Sequence, residues 1–432
     1  MKNRFFANGG KELQGNLIMP GDKSISHRAI MCGALAKGVT KVTNCLMGDD
    51  VKATIRAFKC MGVQFEFDGS ASLLITGKGR DLAGPITSIY LGNSGTSMRL
   101  MTGILSGLNI PAELDGDSSL RSRPMARIAT PLRTMGANIK LRDGNIPPVN
   151  IYRAQGLKAI EYVLPVASAQ VKSAILFAAL FAEGTTIVKE KVATRDHTER
   201  MFERFGVDLA YSEKGVAIRG PDVLRSVDLD VPGDISSAAF FLVGAIICRS
   251  GRLRISDVGL NPTRIGVIEI LRQMGAKLDI KNERLVGNEP VGDIVAYPSP
   301  LEGITIDSTL IASAIDEFPI IFIAAACAKG KTILRAAKEL RHKESDRLEV
   351  MAKGLDAIGI DVQVFDDGLE ITGGEIEGGS IDANGDHRVG MAFAIASLRS
   401  RREILINNAA QISTSFPNFF EVAETAGLRI GW

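Results

Sequence analysis

The chain has 432 residues, 45% of them hydrophobic and 23% charged, with a formal net charge of +2. That length suits about two or three domains with full cores, and the near balance of charge excludes a global field drawn to nucleic acid or a membrane surface. Five cysteines without a Cys-x-x-Cys pair, no secretory h-region, and no apolar run near the roughly 18 residues of a membrane helix predict a cytoplasmic protein with reduced, buried thiols.

Met19-Pro20-Gly21-Asp22 breaks the chain ahead of an apolar run over 29–36. Asp22 or Ser24 caps the helix that this run predicts. Lys23, Ser24, His27 and Arg28 crowd its first turn. Cations there oppose the helix dipole unless an anion sits among them, so the stretch is either a solvated turn or a phosphate or carboxylate site. Residues 91–99, Leu-Gly-Asn-Ser-Gly-Thr-Ser-Met-Arg, place small residues before a second apolar helix, where backbone N–H groups reach an anion or are simply capped. Arg121, Arg123 and Arg127 then surround Pro124, which suits the first turn of the next helix. Arg123 is read as a surface ion pair or an anion contact.

Ser168 and Gln170 open a third apolar helix, and Ala193–Arg200 follows as Ala-Thr-Arg-Asp-His-Thr-Glu-Arg. Asp196 is expected to cap there, with Glu199 completing a box and Arg195 pointing elsewhere. Asp234-Ile235-Ser236 starts a fourth apolar helix. Asp316-Glu317-Phe318-Pro319 starts a fifth, and on spacing alone Asp316 reads as its cap. Arg341–Leu348, Arg-His-Lys-Glu-Ser-Asp-Arg-Leu, is the densest charge cluster, with Ser345 or Asp346 as the cap and Lys343, Glu344 and Arg347 in excess of what capping requires. Asp386-His387-Arg388 opens the last apolar helix, and Arg399–Arg402 is a solvated face at its far end. The four histidines have no metal-ligand spacing, so no metal is expected.

Six amphipathic helices end alike, on Gly62, Gly136, Gly206, Gly275, Gly359 and Gly427, each before an alternating strand. Such glycines fit a left-handed closing position, and their spacing of roughly 70 residues exceeds a solenoid period, so six packed βαβαββ units are expected. Met-Pro-Gly-Asp at 19–22 recurs as Val-Pro-Gly-Asp at 231–234. The predicted fold is α/β with two similar three-repeat domains, 20–232 and 1–19 with 233–432. The leading strand at 15–19 fits the second domain. If the repeats face each other, the helix starts line one cleft between the domains. Lys23, Arg28, Arg123, Arg195, Lys343, Arg347 and Arg388 would there surround Asp316 and Glu344, a site for a small polyanion with acid–base groups. Walker, dinucleotide and nucleophile-elbow motifs are absent from the sequence.

These stretches, in this order from Met19 to Pro417, resemble the 5-enolpyruvylshikimate-3-phosphate synthase family. Pro-Gly-Asp-Lys-Ser-Ile-Ser-His-Arg, Gly-Asn-Ser-Gly-Thr-Ser-Met-Arg, Ser-Arg-Pro-Met, Ala-Ser-Ala-Gln-Val-Lys-Ser-Ala, Arg-Asp-His-Thr-Glu, Asp-Glu-Phe-Pro, Lys-Glu-Ser-Asp-Arg-Leu and Asp-His-Arg carry the likeness. It implies an inverse α/β barrel in each domain and transfer of the enolpyruvyl group of phosphoenolpyruvate to the 5-hydroxyl of shikimate 3-phosphate. By the same resemblance Lys23, Ser24, Arg28, Ser168, Gln170, Arg195, Asp316 and Lys343 hold shikimate 3-phosphate. Lys23, Asn93, Gly95, Thr96, Arg123, Gln170, Arg347 and Arg388 hold phosphoenolpyruvate. Asp316, Glu344 and Lys23 are the implied catalytic groups.

The resemblance further implies a monomer that needs no cofactor and is a target of glyphosate. Two positions depart from some members: Thr414 stands where they have a lysine, and Leu100 where they have proline. Both suit the branch that carries Arg195. A sister enolpyruvyl transferase acting on UDP-N-acetylglucosamine would carry a reactive cysteine near residues 110–120, and Asp115–Leu120 has none. A nucleic-acid-end-processing protein on the same repeat conflicts with the neutral charge and the scarcity of stacking aromatics.

Overall fold

A computed structural model describes residues 3–10, 12–68, 72–213 and 215–431. Met1, Lys2 and Trp432, the last of which ends the sixth repeat stretch, lie outside the described residues. Among the described residues, six helices open at the predicted polar turns and then run through apolar sequence: α1 Lys23–Leu35, α2 Gly95–Gly107, α3 Ala169–Ala179, α4 Ile235–Ile247, α5 Phe318–Ala326 and α6 His387–Ala396. Helices apolar on every side must be buried on every side, and these are. Asp22 Oδ1 accepts from Ile25 N at 2.9 Å, Asp234 Oδ1 from Ser236 N at 2.8 Å and Asp386 Oδ1 from Arg388 N at 2.9 Å. Ser94 and Ser168 cap α2 and α3 with their hydroxyls.

Three capping or boundary expectations are corrected. α5 opens on Glu317, and Asp316 is engaged by cations instead. The Asp196 carboxylate accepts from Arg200 Nε at 2.9 Å, so an ion pair one turn on has outcompeted the helix amide. Pro124 sits ahead of Met125, the cap of Ala126–Thr134, and so lies outside that helix.

Each of the six closing glycines has positive φ, from 83° at Gly206 to 105° at Gly136 and Gly427, a conformation that costs glycine no Cβ clash. Among the described residues there are six sheets. In three of them the strand before the buried helix pairs parallel with the strand after it. Ile89–Tyr90 and Ala112–Asp115 are such a pair, and the hairpin of Asn138–Arg142 and Ile146–Tyr152 adds two antiparallel strands. The fifth repeat keeps only isolated parallel bridges, Glu302 with Lys329 and Thr305 with Ile333, beside a three-stranded sheet.

The chain folds as two compact units, an amino-terminal one, Gly21–Val231 with Val286–Asn288, and a carboxy-terminal one, Met1–Pro20, Pro232–Leu285 and Glu289–Trp432. Each has its own apolar core. The chain swaps strands at its crossings. Leu229–Asp230 pairs parallel with Lys37–Thr43 to finish the first sheet, while Gly15–Ile18 pairs parallel with Leu253–Gly259. Among the described residues, no helix is long and apolar enough to cross a membrane.

Close backbone packing aligns the helix starts of the amino-terminal unit. A Cβ on Gly103 of α2 would lie 2.2 Å from the carbonyl oxygen of Ala174 in α3, so the two backbones touch there. Helix propensity alone makes Gly103→Ala stabilising by about 1 kcal/mol. The overlap with a backbone atom reverses that sign, and a net loss of about 2 kcal/mol is expected. Urea unfolding checks this; an unchanged or raised midpoint contradicts it.

Candidate active site

In the amino-terminal unit the first turns of α1, α2 and α3 carry the expected cations and small polar groups. Lys23 Nζ lies 3.3 Å from Asp50 Oδ2, a carboxylate on the helix Asp49–Cys60. Arg28 is 3% exposed: Nε donates to Thr198 Oγ1 and Nη2 to Ser173 Oγ, both at 2.7 Å, and Nη1 donates to Ser24 O at 3.0 Å. Burial lowers its pKa to about 10 against the opposing carboxylates of Glu199 and Asp22, so it stays charged at neutral pH. The charge of Arg195 also acts on Arg28, which places the two cations in one electrostatic neighbourhood.

Around α2 the polar groups interlock. Arg123 is 7% exposed and donates to Asn93 Oδ1, while Asn93 Nδ2 donates to Asp117 Oδ2 at 2.8 Å. The surface ion pair belongs instead to Arg121, which meets Asp115. Gln170 of α3 donates from Nε2 to Thr96 Oγ1 at 3.0 Å and accepts from Arg99. Arg99, which ends the 91–99 stretch, is 6% exposed and has no assigned role in the sequence. A Cβ on Gly95 would stand 3.0 Å from Arg123 Nη1 and 3.4 Å from Arg99 Nη1. Gly95 therefore leaves two guanidinium groups facing open backbone, the arrangement that an anion with several oxygens fits. The Ser168 hydroxyl accepts from Val171 N at 3.4 Å as the α3 cap, which leaves its own O–H to donate.

A buried polar chain ties α1 to α2: His27 Nδ1 contacts Thr54 Oγ1 at 2.8 Å, and Thr54 Oγ1 contacts Ser97 Oγ at 2.7 Å. Burial first, then the charges of Lys23 and Arg28, hold His27 well below its usual 6.5. A depressed pKa means that the neutral ring stabilises the fold above pH 6.5 and that this contribution drains as pH falls below it. Stability is expected to fall on going from pH 7.5 to 5.5, by up to about 1.4 kcal/mol per unit through this group. Urea midpoints of His27→Gln should fall less than those of the wild type; equal slopes contradict the assignment.

The carboxy-terminal unit holds the second group. Arg347, 1% exposed, donates from Nε to Asp386 Oδ2 at 2.8 Å and from Nη2 to Glu344 Oε2 at 2.7 Å, and its Nη1 lies 3.6 Å from Asp316 Oδ1. Burial opposes its charge, yet the carboxylates of Asp386, Glu344 and Asp316 outweigh that and raise its pKa. Asp386 moves the other way: burial resists ionisation, and the Arg347 charge overcomes it to hold the carboxyl below its usual range. Lys343 Nζ donates to Asp316 Oδ1 at 3.2 Å. Asp346, rather than Ser345, caps the helix Arg347–Ala357; the Ser345 hydroxyl donates to Asp386. Asp316, Lys343, Glu344, Arg347 and the Asp386 cap of α6 are thus brought together from three helix starts.

Arg388 lies beside a buried carboxylate. Its Nη1 is 3.8 Å from Glu317 Oε1, which accepts from Ser236 and stands 3.9 Å from Arg264 Nη2. Arg264 also donates to Ser236 Oγ at 2.8 Å. Arg264 lies 28 residues beyond Ser236, and Glu317 belongs to the next repeat, so no local spacing links the three. Thr414 donates to Gln411 O at 2.6 Å and touches His387 at 3.5 Å, so a hydroxyl occupies the place of the missing lysine.

Among known proteins, the model of the family described as EPSP synthase (3-phosphoshikimate 1-carboxyvinyltransferase) matches residues 7–423. A 3-phosphoshikimate 1-carboxyvinyltransferase of Methylococcus capsulatus is 50% identical over 427 residues, covering 99% of this chain and 98% of that protein. Its counterpart in Acidithiobacillus ferrooxidans is 51% identical over 426 residues, 98% of each chain. A solved EPSP synthase from Acinetobacter baumannii superposes with a TM-score of 0.88 at 47% identity, covering 99% of this chain and 100% of that one. The enolpyruvyl transferase NikO from Streptomyces tendae, at 18% identity and a TM-score of 0.81, shares the fold. With the six-repeat α/β architecture and full-length likeness at about half identity, the chain belongs to the EPSP synthase family.

Proposed function

We propose that the protein transfers the enolpyruvyl group of phosphoenolpyruvate to the 5-hydroxyl of shikimate 3-phosphate and releases phosphate. The observation that carries this reading is the full-length identity of about half to 3-phosphoshikimate 1-carboxyvinyltransferases. The grouping of cations and carboxylates at the helix starts supports it. The absence of a cysteine between Asp115 and Leu120 favours the shikimate acceptor over a UDP-amino sugar.

On this reading Lys23, Ser24, Arg28, Ser168, Gln170, Arg195, Asp316 and Lys343 hold shikimate 3-phosphate. Lys23, Asn93, Gly95, Thr96, Arg123, Gln170, Arg347 and Arg388 hold phosphoenolpyruvate. Asp316 takes the proton of the 5-hydroxyl as its oxygen bonds to C2 of phosphoenolpyruvate, and Glu344 supplies a proton to the methylene carbon, which becomes a methyl group. In the second half Glu344 takes a proton back from that methyl group, the C2–O bond to phosphate breaks, and the enol ether forms. Lys23 stabilises the charge that grows on the departing phosphate.

The passage through a methyl group has a direct test. In deuterium oxide, the methylene protons of the product should be partly replaced by deuterium, read by proton magnetic resonance. Product formed with no deuterium at that carbon contradicts addition followed by elimination.

A further inference from the structure

Residues 190–196, which carry Arg195, join the strand Gly184–Lys189 to the helix His197–Arg204. A single buried ammonium grips this joint. Lys172 of α3 is 2% exposed; its Nζ donates to Glu190 Oε2 at 2.8 Å and to Thr194 O at 3.3 Å, and lies 2.7 Å from Glu199 Oε1. The Thr194 hydroxyl donates to the other oxygen of Glu190. The joint is therefore held at its first residue, at the residue before Arg195, and at the helix beyond it. The next residue of α3, Ser173, contacts Thr198 Oγ1 at 2.7 Å and accepts from Arg28.

Taking an ammonium and two carboxylates out of water is costly, and such clusters are often no more stable than apolar packing of the same volume. What the cluster provides is geometry. A connecting segment left loose would have to be ordered each time an anion bound, at the expense of affinity.

We propose that Lys172 and Glu190 are positioning residues that hold Arg195 ready for the phosphate of shikimate 3-phosphate, which rests on the function proposed above. Neither residue touches the substrate. Both act through the joint, so the acceptor should feel their loss while phosphoenolpyruvate does not.

Glu190→Gln is the first test, because it keeps the size of the side chain and leaves the Lys172–Glu199 pair in place. Thr194→Val, which removes the hydroxyl on Glu190, is the second. Affinity for shikimate 3-phosphate, by calorimetry and as KM, should weaken about tenfold, the worth of one charge-assisted hydrogen bond, with the KM for phosphoenolpyruvate changed by less than about twofold. In an Arg195→Ala background the same substitutions should add almost nothing, since they act through Arg195. Equal losses for both substrates, or an undiminished loss without Arg195, overturn the proposal. Wild-type turnover is measured alongside, and its absence would refute the proposed reaction. Even then hydrogen exchange judges the positioning: faster exchange across 190–196 in Glu190→Gln supports it, and unchanged exchange overturns it.

Discussion

Asp316→Asn is expected to lower turnover on the order of 10²-fold or more while changing substrate affinity much less. The substitution keeps the shape and removes the lone pair able to take the proton of the 5-hydroxyl. Its structural cost should be small. Arg347 keeps Glu344 at 2.7 Å and Asp386 at 2.8 Å, and Lys343, the partner at 3.2 Å, is 21% exposed and can be met by water. A part-exposed pair of that kind is worth about 1 kcal/mol or less. Pre-steady-state turnover together with urea unfolding separates the two effects. Near-normal turnover would return Asp316 to an ion-pairing role and move the base elsewhere.

Gly95→Ala is expected to separate glyphosate from phosphoenolpyruvate. The new methyl group would press on Arg123 Nη1 at 3.0 Å, closer than most real Cβ contacts, and would reach van der Waals contact with Arg99 Nη1 at 3.4 Å. Arg123 is anchored on Asn93 and Arg99 on Gln170, so neither guanidinium can withdraw without breaking a hydrogen bond. The methyl group therefore takes its room from the ligand. Glyphosate, a phosphonate longer than phosphoenolpyruvate, meets more of the clash. One methyl-sized intrusion is worth about 1–3 kcal/mol, or 10- to 200-fold, and most of that should fall on the inhibitor. Inhibition constants against phosphoenolpyruvate, measured for both forms, decide; equal losses for the two ligands would make Gly95 a turn residue only.

What was legible in the sequence was local. The six closing glycines stand at positive φ because an L side chain would strain there, and a glycine after an amphipathic run is visible without any partner. The six helix starts were visible for the same reason: a capping residue lies next to the turn it caps. Pairings over distance were not. Asp316 looks like a cap until Lys343 and Arg347, from a later helix, arrive at its carboxylate. Asp196 looks like a cap until Arg200, one turn along, takes its oxygen. Nothing local assigns roles to Arg99, Arg264 and Lys172, because their partners, Gln170, Glu317 and Glu199, belong to other elements. The crossing of Gly15–Ile18 and Leu229–Asp230 was hinted at by the repeated Pro-Gly-Asp.

The central claim is the identity of the acceptor, and phosphate release measures it. Purified protein with phosphoenolpyruvate should release phosphate when shikimate 3-phosphate is added, and none above background with UDP-N-acetylglucosamine or an RNA end in its place. Release with the UDP-sugar, or no release with shikimate 3-phosphate, would contradict the assignment.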